Sequence, residues 1–178
     1  NPCYSRTSSR RAPHNLLLDP NCAVLTAAAR DVPPGPARPL FFIGPTYDPP
    51  PEAGVTADDT FRVGMDGVDV DWRWDAASGR YLRSQNGNPH VAVSGNQIGV
   101  NNVIEMITEH PPSPVDARSP NPITVGFGDA VVHRGGQRID ATWVRSSPFD
   151  PFAFFDRATL TPITLEPGTT FLHLVRPG

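Results

Sequence analysis

A chain of 178 residues has room for one ordinary domain, or for one domain and a piece of another. Its net charge of −3 offers no broad electrostatic footprint for nucleic acid, and no apolar run approaches the ~20 residues that span a bilayer as a helix. There is no lysine, which excludes a Schiff base or a lysine nucleophile, and 22 prolines favour loops, short strands and sheet edges over long helices.

In chain order, Asn1 to Leu18 is polar and basic, with Arg6, Arg10 and Arg11 close together. Cys22–Arg30 is rich in helix formers; Asp19 can cap it and Pro20 suits a first helical position, so a helix is predicted from about Pro20 to Arg30. Val32–Pro39 is a proline-rich break. Leu40–Ile43 is short and apolar and reads as a buried strand, and Thr46–Ala57 reads as a loop stiffened by Pro49-Pro50-Pro51.

From Thr60 the period becomes two. Phe61, Val63 and Met65 alternate with polar residues or glycine, then Val68, Val70, Trp72 and Trp74 alternate with Asp69, Asp71, Arg73 and Asp75. Arg80–Gln85 returns as the second arm of a hairpin, and Asn86–Pro89 is a turn. Val100–Thr108 reads as a strongly apolar strand. Ile123–Phe127, Ala130–Arg134 and Gln137–Arg145 read as successive antiparallel strands jointed at Gly128-Asp129 and Gly135-Gly136. Phe149–Asp156 reads as an aromatic-rich loop or one helical turn, and Thr161–Leu165 and Thr170–Val175 close the set. The fold class expected is α+β: a mainly antiparallel β domain preceded by a short helix-containing segment.

Three groups of segments resemble the YerB-like family of bacterial lipoproteins, whose domain is the domain of unknown function 3048. They are YSRTSSRRAPHNL (Tyr4–Leu16); WDAASGRYLRSQNGNPHV (Trp74–Val91) with NNVI at Asn101–Ile104; and GFGDAVVHRGGQRIDATWVRSS (Gly126–Ser147) with LEPGTTFLHLV at Leu165–Val175. The chain departs from that family's pattern at Ala92 and Ala141, where an acidic residue and a glycine are common. The resemblance implies an extracytoplasmic protein, held at the membrane only through an N-terminal lipid anchor that this chain lacks, or secreted. It also implies two structural parts. Residues 1–44 would be the tail of a larger N-terminal domain mostly absent here, and residues 45–178 the β-rich C-terminal domain. The chain does not begin with methionine and shows no signal peptide, so its start at Asn1 is expected to reflect processing or trimming. The tail cannot bury enough surface alone to offset ordering entropy, so its expected partner is the missing N-terminal part, as a separately encoded or nicked chain, or else the domain that follows.

Arg6, Arg10, His14 and Asn15 form the most suggestive binding cluster. Guanidiniums with an imidazole can hold a carboxylate, a phosphate or a sulfated sugar, and in an extended segment Arg6 and Arg10 face the same way. The plainer reading has the arginines tie the segment to carboxylates elsewhere. His90 and Asn102 are a second candidate pair, weighed against structural bracing of a loop by a buried amide. Asp69, Asp71 and Asp75 share a strand face that could hold calcium or act as acid and base, but the EF-hand pattern is absent and a solvated acidic face is the simpler account. Trp72 and Trp74 are expected in the core. Cys3 and Cys22 suggest a disulfide if the protein is exported and two buried thiols if it is cytosolic; without CxxC spacing they make no metal site. No cofactor, metal or nucleic-acid partner is expected.

No Ser-His-Asp set, nucleophile elbow or phosphate loop accompanies these residues. The reading is therefore a non-enzymatic envelope module that binds a cell-wall glycan or a protein partner. Two rivals stand beside it: a hydrolase or transferase on an anionic envelope substrate acting through Arg6, Arg10 and His14, and a structural subunit of a surface assembly.

Overall fold

A computed structural model of the chain describes residues 2–12, 14–32, 38–44, 55–57, 59–65 and 67–178. The chain divides into two units, Asn1–Arg38 and Pro39–Gly178.

In the first unit, strands β1 (Tyr4–Arg6) and β2 (Leu16–Leu18) pair antiparallel, with Tyr4 opposite Leu18 and Arg6 opposite Leu16. Helix α1 (Pro20–Ala28) follows. Asp19 caps it as the sequence suggests, accepting from the amides of Asn21 at 2.9 Å and Cys22 at 3.2 Å, with proline at the first helical position. The helix stops at Ala28 rather than Arg30. The amides of Arg30 and Asp31 tighten into i→i+3 bonds with Ala27 and Ala28, and Asp31 takes a left-handed φ of 54° that no continuing helix allows. A disulfide joins Cys3, just before β1, to Cys22 in the first turn of α1.

The second unit contains two sheets. Its strands are β3 (Val55–Ala57), β4 (Thr60–Met65), β5 (Val68–Asp75), β6 (Arg80–Gln85), β7 (Asn88–Pro89), β8 (Gly99–Val100), β9 (Asn102–Ile107), β10 (Gly126–Arg134), β11 (Gln137–Arg145), β12 (Ala153–Asp156), β13 (Pro162–Ile163) and β14 (Thr170–Val175). The larger sheet runs β13-β12-β11-β10-β9-β14, with β3 also pairing β11; the smaller runs β4-β5-β6-β7, with β8 pairing β6. Among the described residues all strand pairs are antiparallel except β14 with β9. The molecule is thus mainly antiparallel β with one short helix.

The alternation read from Thr60 onward sorts side chains between two cores. Val63, Val70, Trp72 and Tyr81 of the smaller sheet pack with Val100 and Val103. Ile104 and Met106 turn the other way and join Val132, Ile139, Trp143 and Phe154. Strand β9 is therefore apolar on both faces, which is why Val100–Thr108 reads as a nearly unbroken apolar run.

Several expectations need correcting. Gly128-Asp129 is not a joint: β10 pairs with β11 without interruption from Gly126 opposite Arg145 to Arg134 opposite Gln137. Gly128 serves close approach instead. A Cβ there would stand 2.7 Å from the Trp143 indole nitrogen, which crosses this position to donate to the Ile107 carbonyl at 3.0 Å. The one turn is Gly135-Gly136, both at positive φ, as a tight hairpin requires. Phe149–Asp156 is not all loop. Phe149 is exposed, but Ala153–Asp156 is a strand against β11 and Phe152 and Phe154 are buried, because alternate aromatic residues fit a covered sheet face.

Leu40–Ile43 is not a buried strand. Its backbone pairing is limited to isolated bridges of Phe41 to Phe152 and Ile43 to Leu165, and of the run only Phe41 packs inward. Those bridges place the run in the second unit, so the structural division follows Arg38. Of the segment read as a loop before Thr60, residues 45–54, with Pro49-Pro50-Pro51, lie outside the described residues. Val55–Ala57 forms a strand opposite Ile139–Gln137.

Candidate functional site

The candidate site in the first unit is the connection between β1 and β2. Asn15 closes its base: its carbonyl accepts from the Thr7 amide at 2.9 Å, its Oδ1 accepts from Arg6 Nη1 at 2.6 Å, and its Nδ2 donates to the Thr7 carbonyl at 3.4 Å. The structure thus brings Arg6 and Asn15 together. It does not continue the extended segment to Arg10. The Thr7 hydroxyl takes the Ser9 amide at 3.2 Å and folds the chain over, so the same-face argument for Arg6 and Arg10 fails beyond Arg6. Arg10, Arg11 and His14 stand exposed around the turn; Pro13, between them, lies outside the described residues. The first unit carries five arginines against two aspartates, whereas the chain as a whole is acidic. One of those aspartates, Asp19, is engaged as the helix cap.

His90 and Asn102 occupy different places. Asn102 is fully buried and satisfies its whole amide: Nδ2 donates to the Glu166 carbonyl at 2.9 Å and to Thr170 Oγ1 at 3.2 Å, and Oδ1 accepts from the Glu166 amide at 3.0 Å. Asn102 therefore ties the turn before β14 to the start of β9, and its amide is left with little to offer a ligand. His90 meets the Arg83 guanidinium through Nδ1, and the backbones of the two residues also bond at 3.0 Å. Burial pushes the Arg83 guanidinium below its ordinary range.

Two histidines that the sequence reading did not single out, His133 and His173, are buried. His133 on β10 is fully buried, stacks flat on Phe61 with ring centroids 3.5 Å apart, and meets Glu105 Oε1 through Nε2 at 2.9 Å. His173 on β14 accepts from the Trp72 indole at 3.0 Å through Nε2. Indole nitrogen only donates, so this Nε2 is unprotonated and the neutral ring carries its proton on Nδ1. Burial lowers the His173 pKa to about 4; the nearby charges of Arg83 and His133 add to the effect and Glu105 opposes it. The signal was available in the alternation Phe171, His173, Val175, which puts a histidine among apolar residues on one strand face.

The acidic strand face is a surface ion-pair array. Arg62 bridges Asp71 at 2.7 Å and Asp69 at 3.3 Å, while Asp75 accepts from the Ser78 amide at 3.1 Å. Among the described residues no group of three or more His, Cys, Asp or Glu side chains is arranged to hold a metal. Trp72 is buried and Trp74 packs against the same core.

Residues 61–172 match the model of the family described as protein of unknown function (DUF3048), C-terminal domain. The chain belongs to this family. The resemblance read from the Trp74–Val91 and Gly126–Ser147 segments is thereby established, and the matched region lies within the β-rich second unit. Among solved structures, the crystal structure of YerB protein from Bacillus subtilis matches with a TM-score of 0.70 at 16% identity, a likeness of fold. That match covers 97% of this chain and 56% of the other, so this DUF3048 chain spans little more than half the length of YerB. No curated protein matches.

Proposed function

We propose that this DUF3048 chain is a non-catalytic module of the bacterial cell envelope and that it binds an anionic wall polymer through the exposed hairpin bearing Arg6, Arg10, Arg11 and His14. The observation that carries the reading is that exposed hairpin, in a unit whose five arginines face only two aspartates. Guanidiniums suit phosphate and carboxylate groups in either single or forked geometry. The Cys3–Cys22 disulfide supports a place outside the cytoplasm, where such bonds persist. Leu16, Leu17, Leu18, Val24 and Leu25 remain exposed in the same unit, a surface suited to a further segment of the same protein, in line with the greater length of YerB.

The test is retention of the protein on immobilised polyglycerol phosphate, with neutral dextran as control. Retention on the phosphate polymer should weaken as salt rises. Arg10→Ala with Arg11→Ala should lower affinity about three- to tenfold with no change in melting temperature. Equal retention on dextran, or a double variant that binds as the parent does, would overturn the reading.

A further inference from the structure

We propose that a cleft in the second unit, centred on His110 and Arg176, binds a small organic anion with an apolar body. One compartment of about 310 Å³ is walled by Met65 of β4, Leu174 and Val175 of β14, and Pro120, and a second of about 390 Å³ continues past Pro111 and Pro177. His110 and Arg176 line both, so these two residues stand where the compartments meet. Such volumes lie at the small end of the range for ligand pockets, and apolar walls with a few convergent polar groups are their usual make-up.

The decisive atom is His110 Nε2. It is buried and has no hydrogen-bond partner among the described residues. Buried polar atoms are almost always satisfied, so this one, on a residue that lines the cleft, is an opening for a ligand atom. Arg176 lies beside it and donates from Nη1 to the His110 carbonyl at 3.4 Å, which directs a permanently charged group with five N–H donors to the same junction. A carboxylate or phosphate head at this junction accepts from the imidazole and the guanidinium. Its apolar body lies against Met65, Leu174 and Val175. Glu109 lines the second compartment only, so its charge keeps the head in the first.

The test uses the full chain and three probes: octanoate, octyl phosphate and octanol. Saturable shifts of the His110 ring resonances on titration with octanoate or octyl phosphate are expected, and the preferred probe distinguishes a carboxylate ligand from a phosphate one. Octanol should bind at least about tenfold more weakly, and Arg176→Gln should weaken octanoate binding by about the same factor. His110→Phe keeps an aromatic ring and removes both ring nitrogens; it should abolish the preference for the anions over octanol while the melting temperature holds. Octanol binding as tightly as octanoate, anion binding indifferent to both variants, or shifts elsewhere but none at His110 would each overturn the proposal.

Discussion

The first unit covers almost nothing, whereas the second buries two cores. In the first, no residue of α1 is buried, Val24 and Leu25 are 68% and 71% exposed, and among the described residues Cys3 is the one apolar side chain inside. In the second, Ile104, Met106, Val132, Tyr81 and Ala141 are wholly inside, and even His133, His173 and Asn102 are drawn in and bonded by neighbours. A two-stranded ribbon and one short helix are too small to bury much apolar surface, so a covalent bond does what packing does elsewhere. The difference also sorts chemistry. The unit without a core keeps its cations exposed, and the unit with one turns its polar residues into internal ties.

The sharpest way to break this contrast is to cut the core of the second unit. Ile104→Ala should cost the second unit about 4 kcal/mol in urea unfolding followed by tryptophan fluorescence, since Ile104 is fully buried on a strand packed on both faces. All three tryptophans, Trp72, Trp74 and Trp143, lie in that unit, so the signal reports it alone. A loss below about 1 kcal/mol would mean that the core repacks freely.

Next comes the covalent tie. Cys3→Ser with Cys22→Ser removes a cross-link between positions 19 residues apart and should destabilise the first unit by about 3 kcal/mol. Amide exchange in Tyr4–Arg6 and Leu16–Leu18 should accelerate to the unprotected rate while exchange in β9 and β10 stays slow. Loss of protection in both sets would show that the units do not differ as described.

The smallest effect is acid sensitivity confined to the second unit. His173 titrates near 4 in the folded chain and near 6.5 when unfolded, so its contribution is complete above about pH 6.5 and is lost as pH falls from there toward 4. Between pH 7 and pH 5 the second unit should lose about 2 kcal/mol from this group. His173→Phe should flatten that slope, whatever it does to stability at pH 7. An unchanged slope would assign the acid loss to other groups.

The candidate residues divided along the same line. Arg6, Arg10, His14 and Asn15 were legible as a basic, amide-bearing segment because charge and residue type are local facts. Their arrangement was not, since the Thr7–Ser9 hydrogen bond that turns the chain depends on the pairing of β1 with β2. The amide accounting for Asn102 was also legible, since a buried asparagine needs partners. That those partners would be Glu166 and Thr170, 64 and 68 positions away, was not.

By itself, the sequence determined what short-range geometry dictates. The Asp19-Pro20 helix start, the period-two strands from Thr60, the Gly135-Gly136 turn and the burial of Trp72 all follow from residue type and from alternate side chains pointing to opposite faces. Tertiary structure decided everything that depends on which distant strand lies alongside. The parallel pairing of β14 with β9, the second covered face that encloses His133 and His173, and the indole of Trp143 that turns Gly128 from a hinge into a contact are set by long-range neighbours. Spacing along one strand says which residues share a face, but only the packed sheets say what covers it.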